Sequence, residues 1–126
     1  MRNYLFRGKR KNNIPEKDGT WVYGLLSCLV DDTYSIGKYQ SDLNLVDPKT
    51  IGQFTGLLDK NGKKIFDDDI IKFRGKIYLV SWHDKFACFA IFIPNDLDSG
   101  LKIYDAKECE IIGNIHDNPE LLEGIK

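Results

Sequence analysis

The sequence predicts a mainly β protein of the α+β class, and three observations carry that expectation. Apolar residues gather in short runs rich in aromatic and β-branched side chains. Turn-forming Gly, Asn, Asp and Pro separate the runs, and one of them, Phe86-Ala87-Cys88-Phe89-Ala90-Ile91-Phe92-Ile93, is apolar throughout. Four or five such strands between Ile65 and Ile115 curl most economically into a small SH3-like β-barrel, because closure hides edges that a short sheet leaves open to other chains. Residues 1–64 then supply additional N-terminal strands and loops, and residues 65–126 the barrel and a short C-terminal helix. The chain has 126 residues and 42% hydrophobic content, enough for one core, so a single domain over residues 1–126 is expected.

Taken in order, Tyr4-Leu5-Phe6-Arg7 opens as a strand and runs into a polar loop from Gly8 to Asp18. Trp21 to Val30 is a longer strand, bent near Gly24 and stopped by Asp31-Asp32, and Thr33 to Tyr39 is its pairing partner. Asp47-Pro48-Lys49-Thr50 has turn chemistry that also suits a single helical turn. Gly52 to Leu57 reads as a strand, and Asn61-Gly62 supplies the two positive-φ positions of a type I′ turn joining Leu57-Leu58 to Lys64-Ile65-Phe66. Ile70 to Arg74 and Ile77 to Trp82 make a second hairpin through Arg74-Gly75-Lys76, and Phe86 to Ile93 follows it. Cys109 to Ile115 closes the sheet. Asn118-Pro119-Glu120 then offers a cap residue, proline at the first helical position and an early acid, the start of a helix.

Charge and cysteine content narrow the function classes. Eighteen Lys and Arg against nineteen Asp and Glu leave a net charge of -1, which gives no global attraction to a polyanion. No apolar run approaches the roughly 20 residues of a spanning helix, and the opening segment lacks the apolar core of a secretory signal, so a cytoplasmic protein without membrane partners is expected. Cys28, Cys88 and Cys109, an odd set among apolar neighbours, read as reduced core thiols. The charge is uneven, however. Residues 1–17 carry six cations against Glu16 alone, a balance of +5, while residues 95–126 carry eight acids against three lysines, a balance of -5. Complementary ends suit either solvated faces or head-to-tail contact between copies.

Several segments resemble one family. Val46-Asp47-Pro48-Lys49-Thr50-Ile51-Gly52-Gln53-Phe54-Thr55-Gly56-Leu57-Leu58-Asp59-Lys60-Asn61-Gly62-Lys63-Lys64-Ile65-Phe66 is similar to the central signature of the YopX family of phage and prophage proteins. Asp69-Ile70-Ile71, Val80-Ser81-Trp82, the tail Ile111 to Leu122 and the opening Phe6-Arg7-Gly8-Lys9 fit the same family in the same order. The resemblance implies an accessory protein in the bacterial host cell with no established activity, no catalytic residues and no cofactor to carry over. Where relatives usually show Glu-Gly-Asp, this chain has Asp67-Asp68-Asp69, which puts Asp68 at a position that a positive φ would make comfortable for glycine.

Three sets of residues are candidates for function. Asp67, Asp68 and Asp69 could collect a hard cation for a metal-dependent enzyme, but neighbouring residues in a strand face opposite ways, and an acidic turn with Asp69 bonding backbone amides is the plainer alternative. His83 and His116 have no cysteine close by and read as a turn and a surface residue. Arg7, Lys9, Arg10 and Lys11, flanked by Tyr4 and Phe6, could track a single-stranded nucleic acid. Two or more of Trp82, Phe86, Phe89 and Phe92 exposed beside Arg7 and Lys9 would mark a stacking platform, whereas their burial together would mark a core. Leu121, Leu122 and Ile125 on the terminal helix are the candidate apolar centre of an oligomer interface. The leading expectation is a non-enzymatic module that self-associates as a homo-oligomer or binds a host or phage protein.

Overall fold

The computed structural model describes residues 5–11, 19–39, 42–84, 87–93, 96–101 and 103–123. Eleven strands run β1 (Phe6–Lys9), β2 (Trp21–Val30), β3 (Thr33–Gly37), β4 (Leu45–Val46), β5 (Gly52–Leu58), β6 (Lys64–Phe66), β7 (Asp69–Phe73), β8 (Lys76–His83), β9 (Cys88–Ile93), β10 (Asp96–Leu101) and β11 (Glu110–Asn114). They form two antiparallel sheets with orders β4-β3-β2-β1-β5-β6 and β10-β9-β8-β7-β11. The chain divides into two compact units at Phe54/Thr55, inside β5.

In the first unit, alternation along each strand places Val22, Ile36 and Val46 in a buried cluster, with Phe6, Leu26, Tyr34 and Ile51 packed against it. β2 passes through Gly24 (φ 153°) without a break and pairs with β3 from Leu25↔Gly37 to Val30↔Thr33. β4 lies against β3, and a single Arg10↔Val46 bridge ties it back to the end of β1. The bridge is flanked by hydrogen bonds from the Lys11 N–H to the Leu45 carbonyl (2.8 Å) and from the Asp47 N–H to the Lys9 carbonyl (2.9 Å). Asp47 caps the 3-10 turn Pro48–Thr50 through its side chain, which accepts from the Lys49 N–H at 3.1 Å, as the turn chemistry predicts.

In the second unit, Ile65, Ile71, Tyr78, Val80, Ile91, Ala106 and Cys109 are buried together, with Leu57, Phe73, Ile93, Leu101 and Ile111 around them. A fully buried Ile such as Ile71 contributes roughly 1.5 to 3 kcal/mol of hydrophobic stabilisation. The apolar run at β9 takes a central place because it buries both faces, pairing with β8 from Leu79↔Phe92 to His83↔Cys88.

Several expectations require correction. The strands after Ile65 form an open sheet, not an SH3-like barrel: β10 and β11 stand at its opposite ends. β10, an unforeseen strand of Asp-Leu-Asp-Ser-Gly-Leu, is matched to β9 only at Asp96 and Leu101 across a register shift, so it is a poor seam for closure. The C-terminal helix is only a four-residue 3-10 turn, Pro119–Leu122. Asn118 does not cap it, because the Asn118 side chain instead accepts from the Asn114 N–H at 3.3 Å. Of the cysteines, Cys109 alone is buried, and Cys28 and Cys88 are exposed free thiols.

The hairpins exchange turn types. At Asn61-Gly62 only Gly62 has positive φ (78°), and its N–H donates to the Asp59 carbonyl at 3.0 Å while the Asp59 N–H donates to Lys63 at 2.9 Å. This is a tight turn followed by a left-handed glycine, where the first turn residues keep negative φ. The type I′ pattern occurs instead at Arg74 (φ 49°) and Gly75 (φ 79°), between the paired Phe73 and Lys76. Space around Gly62 is open, so Gly62→Val is expected to cost about 1 to 3 kcal/mol through backbone strain alone. An unchanged urea midpoint would show that the left-handed conformation is unimportant there.

Candidate functional site

The signature segments assemble around carboxylates that bind their own backbone. Asp59, 5% exposed, sits at the end of β5, and its Oδ1 accepts from the Asn61 and Lys63 N–H groups, both at 2.9 Å. Its Oδ2 accepts from the Ile111 N–H at 3.1 Å, and the neighbouring Lys60 N–H donates to the Cys109 carbonyl at 2.8 Å. The β5–β6 turn is thereby clamped to the start of β11. Burial pushes the Asp59 carboxyl up, but the backbone donors from Ile111, Lys63 and Asn61, with the Lys63 charge, outweigh it and hold the group below its ordinary value of 3.8. Burial also pushes the Cys109 thiol up to about 11, helped by Asp105, Glu108 and Asp59, so this thiol is an inert packing group that donates to the Asp105 carbonyl.

The three successive acids separate. Asp67 accepts from the Trp82 N–H at 3.1 Å, Asp68 faces His116 with Oδ2 at 3.5 Å from Nε2, and Asp69, 1% exposed, accepts from the Phe66 N–H at 2.7 Å. Asp68 has φ 73°, the left-handed position anticipated for it, held by its N–H to Val80 and its carbonyl from Ile115. Among the described residues no group of three or more His, Cys, Asp and Glu side chains converges on a point that could hold a metal ion. His83 is not a turn residue: it ends β8, edge-on to Phe92 at 5.1 Å. His116 is part-buried, its N–H donating to the Asn114 side chain at 3.0 Å.

The N-terminal cations are divided by strand alternation. Arg7 and Lys9 lie on one face of β1, opposite Tyr23 and Trp21 of β2. The Arg7 guanidinium stands 4.6 Å and the Lys9 ammonium 5.5 Å from the centre of the Trp21 ring. Arg7 is buried, whereas Lys11 is exposed. Arg10 points the other way and donates to the Thr20 hydroxyl at 3.2 Å, so the four cations expected together form a group of three with one outlier. Tyr4 lies outside the described residues, and Phe6 faces the core.

The aromatics that accompany Arg7 and Lys9 are therefore Trp21 and Tyr23. They were missed because only the β1–β2 register reveals them. Trp82, 44% exposed, stacks edge-on with its cross-strand partner Phe89 at 5.1 Å and donates from Nε1 to Asp84 at 2.7 Å, but it belongs to the second unit, and Phe86 lies outside the described residues. Neither arrangement anticipated for these four aromatics occurs as stated.

A further surface was not anticipated. The outer row of β2 leaves Tyr23, Leu25 and Leu29 exposed, and Val30 follows at 69% exposure. Leu45 on β4 shares that face through Ser27↔Ser35 and Ser35↔Leu45. The candidate interface residues Leu121 and Leu122 are half-buried in the terminal 3-10 turn, and Ile125 lies outside the described residues.

Two open antiparallel sheets, with acids and amides bound to their own backbone and apolar residues left facing outward, define a mainly β protein built for contacts. No described helix is long and apolar enough to cross a membrane. The family model described as YopX protein matches residues 5–123, and the chain belongs to the YopX family. A search of curated proteins found no match.

Proposed function

We propose that this chain is a non-enzymatic accessory protein of phages and prophages that works by self-association, with the outer row of β2 as the contact between copies. The observation that supports this reading is the apolar stripe itself. Leu25 is 47%, Leu29 42% and Val30 69% exposed along one strand, with Leu45 alongside on β4. A contiguous apolar surface of this kind is costly in water and marks sites of protein contact. The signature residues point the same way, since Asp59, Asp69 and Asn114 use their polar groups to hold backbone N–H groups of their own fold. The terminal turn offers less, because Leu121 and Leu122 are already half-buried. Complementary end charges add little: Lys60 already pairs with Glu110 at 3.5 Å, and exposed pairs are worth roughly 0 to 1 kcal/mol.

Sedimentation velocity at micromolar concentration tests the reading. The unmodified protein is expected to run well above 14.5 kDa, and Leu25→Asp with Leu29→Asp to return it to that mass with an unchanged circular dichroism spectrum. Leu121→Asp with Leu122→Asp is expected to leave the assembly intact. A monomeric unmodified protein would overturn self-association. If the terminal-turn pair alone dissolved the assembly, the interface would belong to the 3-10 turn instead.

A further inference from the structure

We infer that the outer face of β1 and the start of β2 binds single-stranded nucleic acid, with Lys9 and Lys11 contacting phosphates and Tyr23 stacking on a base. The cross-strand pairs Arg7↔Tyr23 and Lys9↔Trp21 bring cations and aromatics to one face, which neither strand possesses alone. Alternation carries this face on to Lys11, which is exposed just past the end of β1, where the bridge to β4 continues the strand. Tyr23 is 49% exposed, so its ring is open to a base, whereas the Trp21 ring is engaged by the Arg7 guanidinium at 4.6 Å. Trp21 and the buried Arg7 thus form the foundation, and they hold the Lys9 ammonium 5.5 Å from the ring centre, at the face where a backbone would pass.

The chemistry favours a single strand over a duplex. An aromatic ring beside a short cationic row stacks on an unpaired base while lysines neutralise neighbouring phosphates, and every base presents a π-face, so little sequence preference is expected. A duplex hides its bases and would use the lysines alone. Local charge matters more than the overall balance here, because screening removes the influence of acids more than about 10 Å away at ordinary salt.

Fluorescence anisotropy with labelled oligothymidylate and oligouridylate of about 15 nucleotides, and with a duplex of the same length, tests the inference. Binding to a single strand is expected at low salt, weakening as salt rises with a logarithmic slope of about -1.4, the value for two phosphates on a single strand. Lys9→Gln with Lys11→Gln should weaken binding about tenfold and flatten that slope. Tyr23→Ala should weaken single-strand binding about tenfold while leaving the slope unchanged, since it removes stacking and no charge. Lys11→Glu, at an exposed position, serves as a variant that leaves the fold untouched and should still weaken binding. The comparison of the thymidine and uridine oligomers shows which sugar is preferred, and tight binding of either supports the inference. It is overturned by no binding to either oligomer at low salt, by a duplex bound as tightly as the single strands, or by variants that bind like the unmodified protein. Retained binding by the Leu25→Asp, Leu29→Asp variant separates this site from self-association.

Discussion

Asp59→Ala is expected to lower the unfolding free energy by about 3 to 5 kcal/mol, measured by urea denaturation at pH 7. The carboxylate is nearly buried and accepts from three backbone donors, at Asn61, Lys63 and Ile111. A hydrogen bond to a charged group contributes roughly 1.5 to 3 kcal/mol, and removing the acceptor also leaves the Ile111 N–H without its partner. Asp59→Asn should fall between, because its amide keeps one oxygen but turns an NH2 toward one of the N–H donors. The pH dependence has a definite sign. The folded carboxyl titrates below its ordinary value of 3.8, so its stabilisation is complete above that value and is lost as pH falls from 3.8 through the lowered one. The difference between the unmodified protein and Asp59→Asn should therefore shrink below about pH 4. Equal stability of the two proteins at pH 7 would refute the role assigned to the clamp.

Gly37→Ala is expected to be similarly severe, about 3 kcal/mol or more, for a different reason. A Cβ at Gly37 would overlap the carbonyl oxygen of Asp42, a backbone atom that cannot rotate aside. The segment from Asp42 to Asn44 would have to move. It is held by the Ile36 N–H to the Asn44 carbonyl at 3.0 Å, by the Asn44 side chain to the Ile36 carbonyl at 3.0 Å, and by the Asp42 carboxylate to the Lys38 N–H at 3.2 Å. Losing that register also disturbs Val46, whose cluster with Ile36 and Val22 is the small core of the first unit. A drop of about 10 °C in the melting midpoint is the expected measurement, and a shift of a degree or two would show that the loop repositions freely.

Local chemistry was readable where it acts within a few residues. The strands β2, β5, β7 and β8 follow from their β-branched and aromatic runs, and the left-handed Asp68 from the place of glycine in relatives. The cap of Asp47 on the turn at Pro48 follows from residue type and adjacency alone. Three kinds of feature escaped. The turn at Asn61-Gly62 was misassigned because the Asp59 side chain takes over the hydrogen bonding of the loop, and this stabilises a form with only one positive φ. The clamp from Asp59 to Ile111 spans 52 positions, a distance over which no local pattern carries information. The closed barrel failed on β10 and β4, where the strands are weakly paired or only two residues long. For the nucleic-acid face, Lys9 and Lys11 were legible as charge, while Trp21 and Tyr23 became part of it only through pairing register.

The clamp at Ile111 also bears on what this protein does outside its native state. β11 is an outermost strand, and its free side would ordinarily offer a row of amides to any incoming extended chain. By occupying the Ile111 amide, the Asp59 carboxylate closes one docking point of that row with a charge, which also repels an approaching acidic segment. Acidification removes both protections at once. Fibrillar or amorphous aggregation seeded through β11 should accordingly begin at a higher pH in Asp59→Asn than in the unmodified protein, so that a residue chosen for holding a turn also acts as a guard against misassembly.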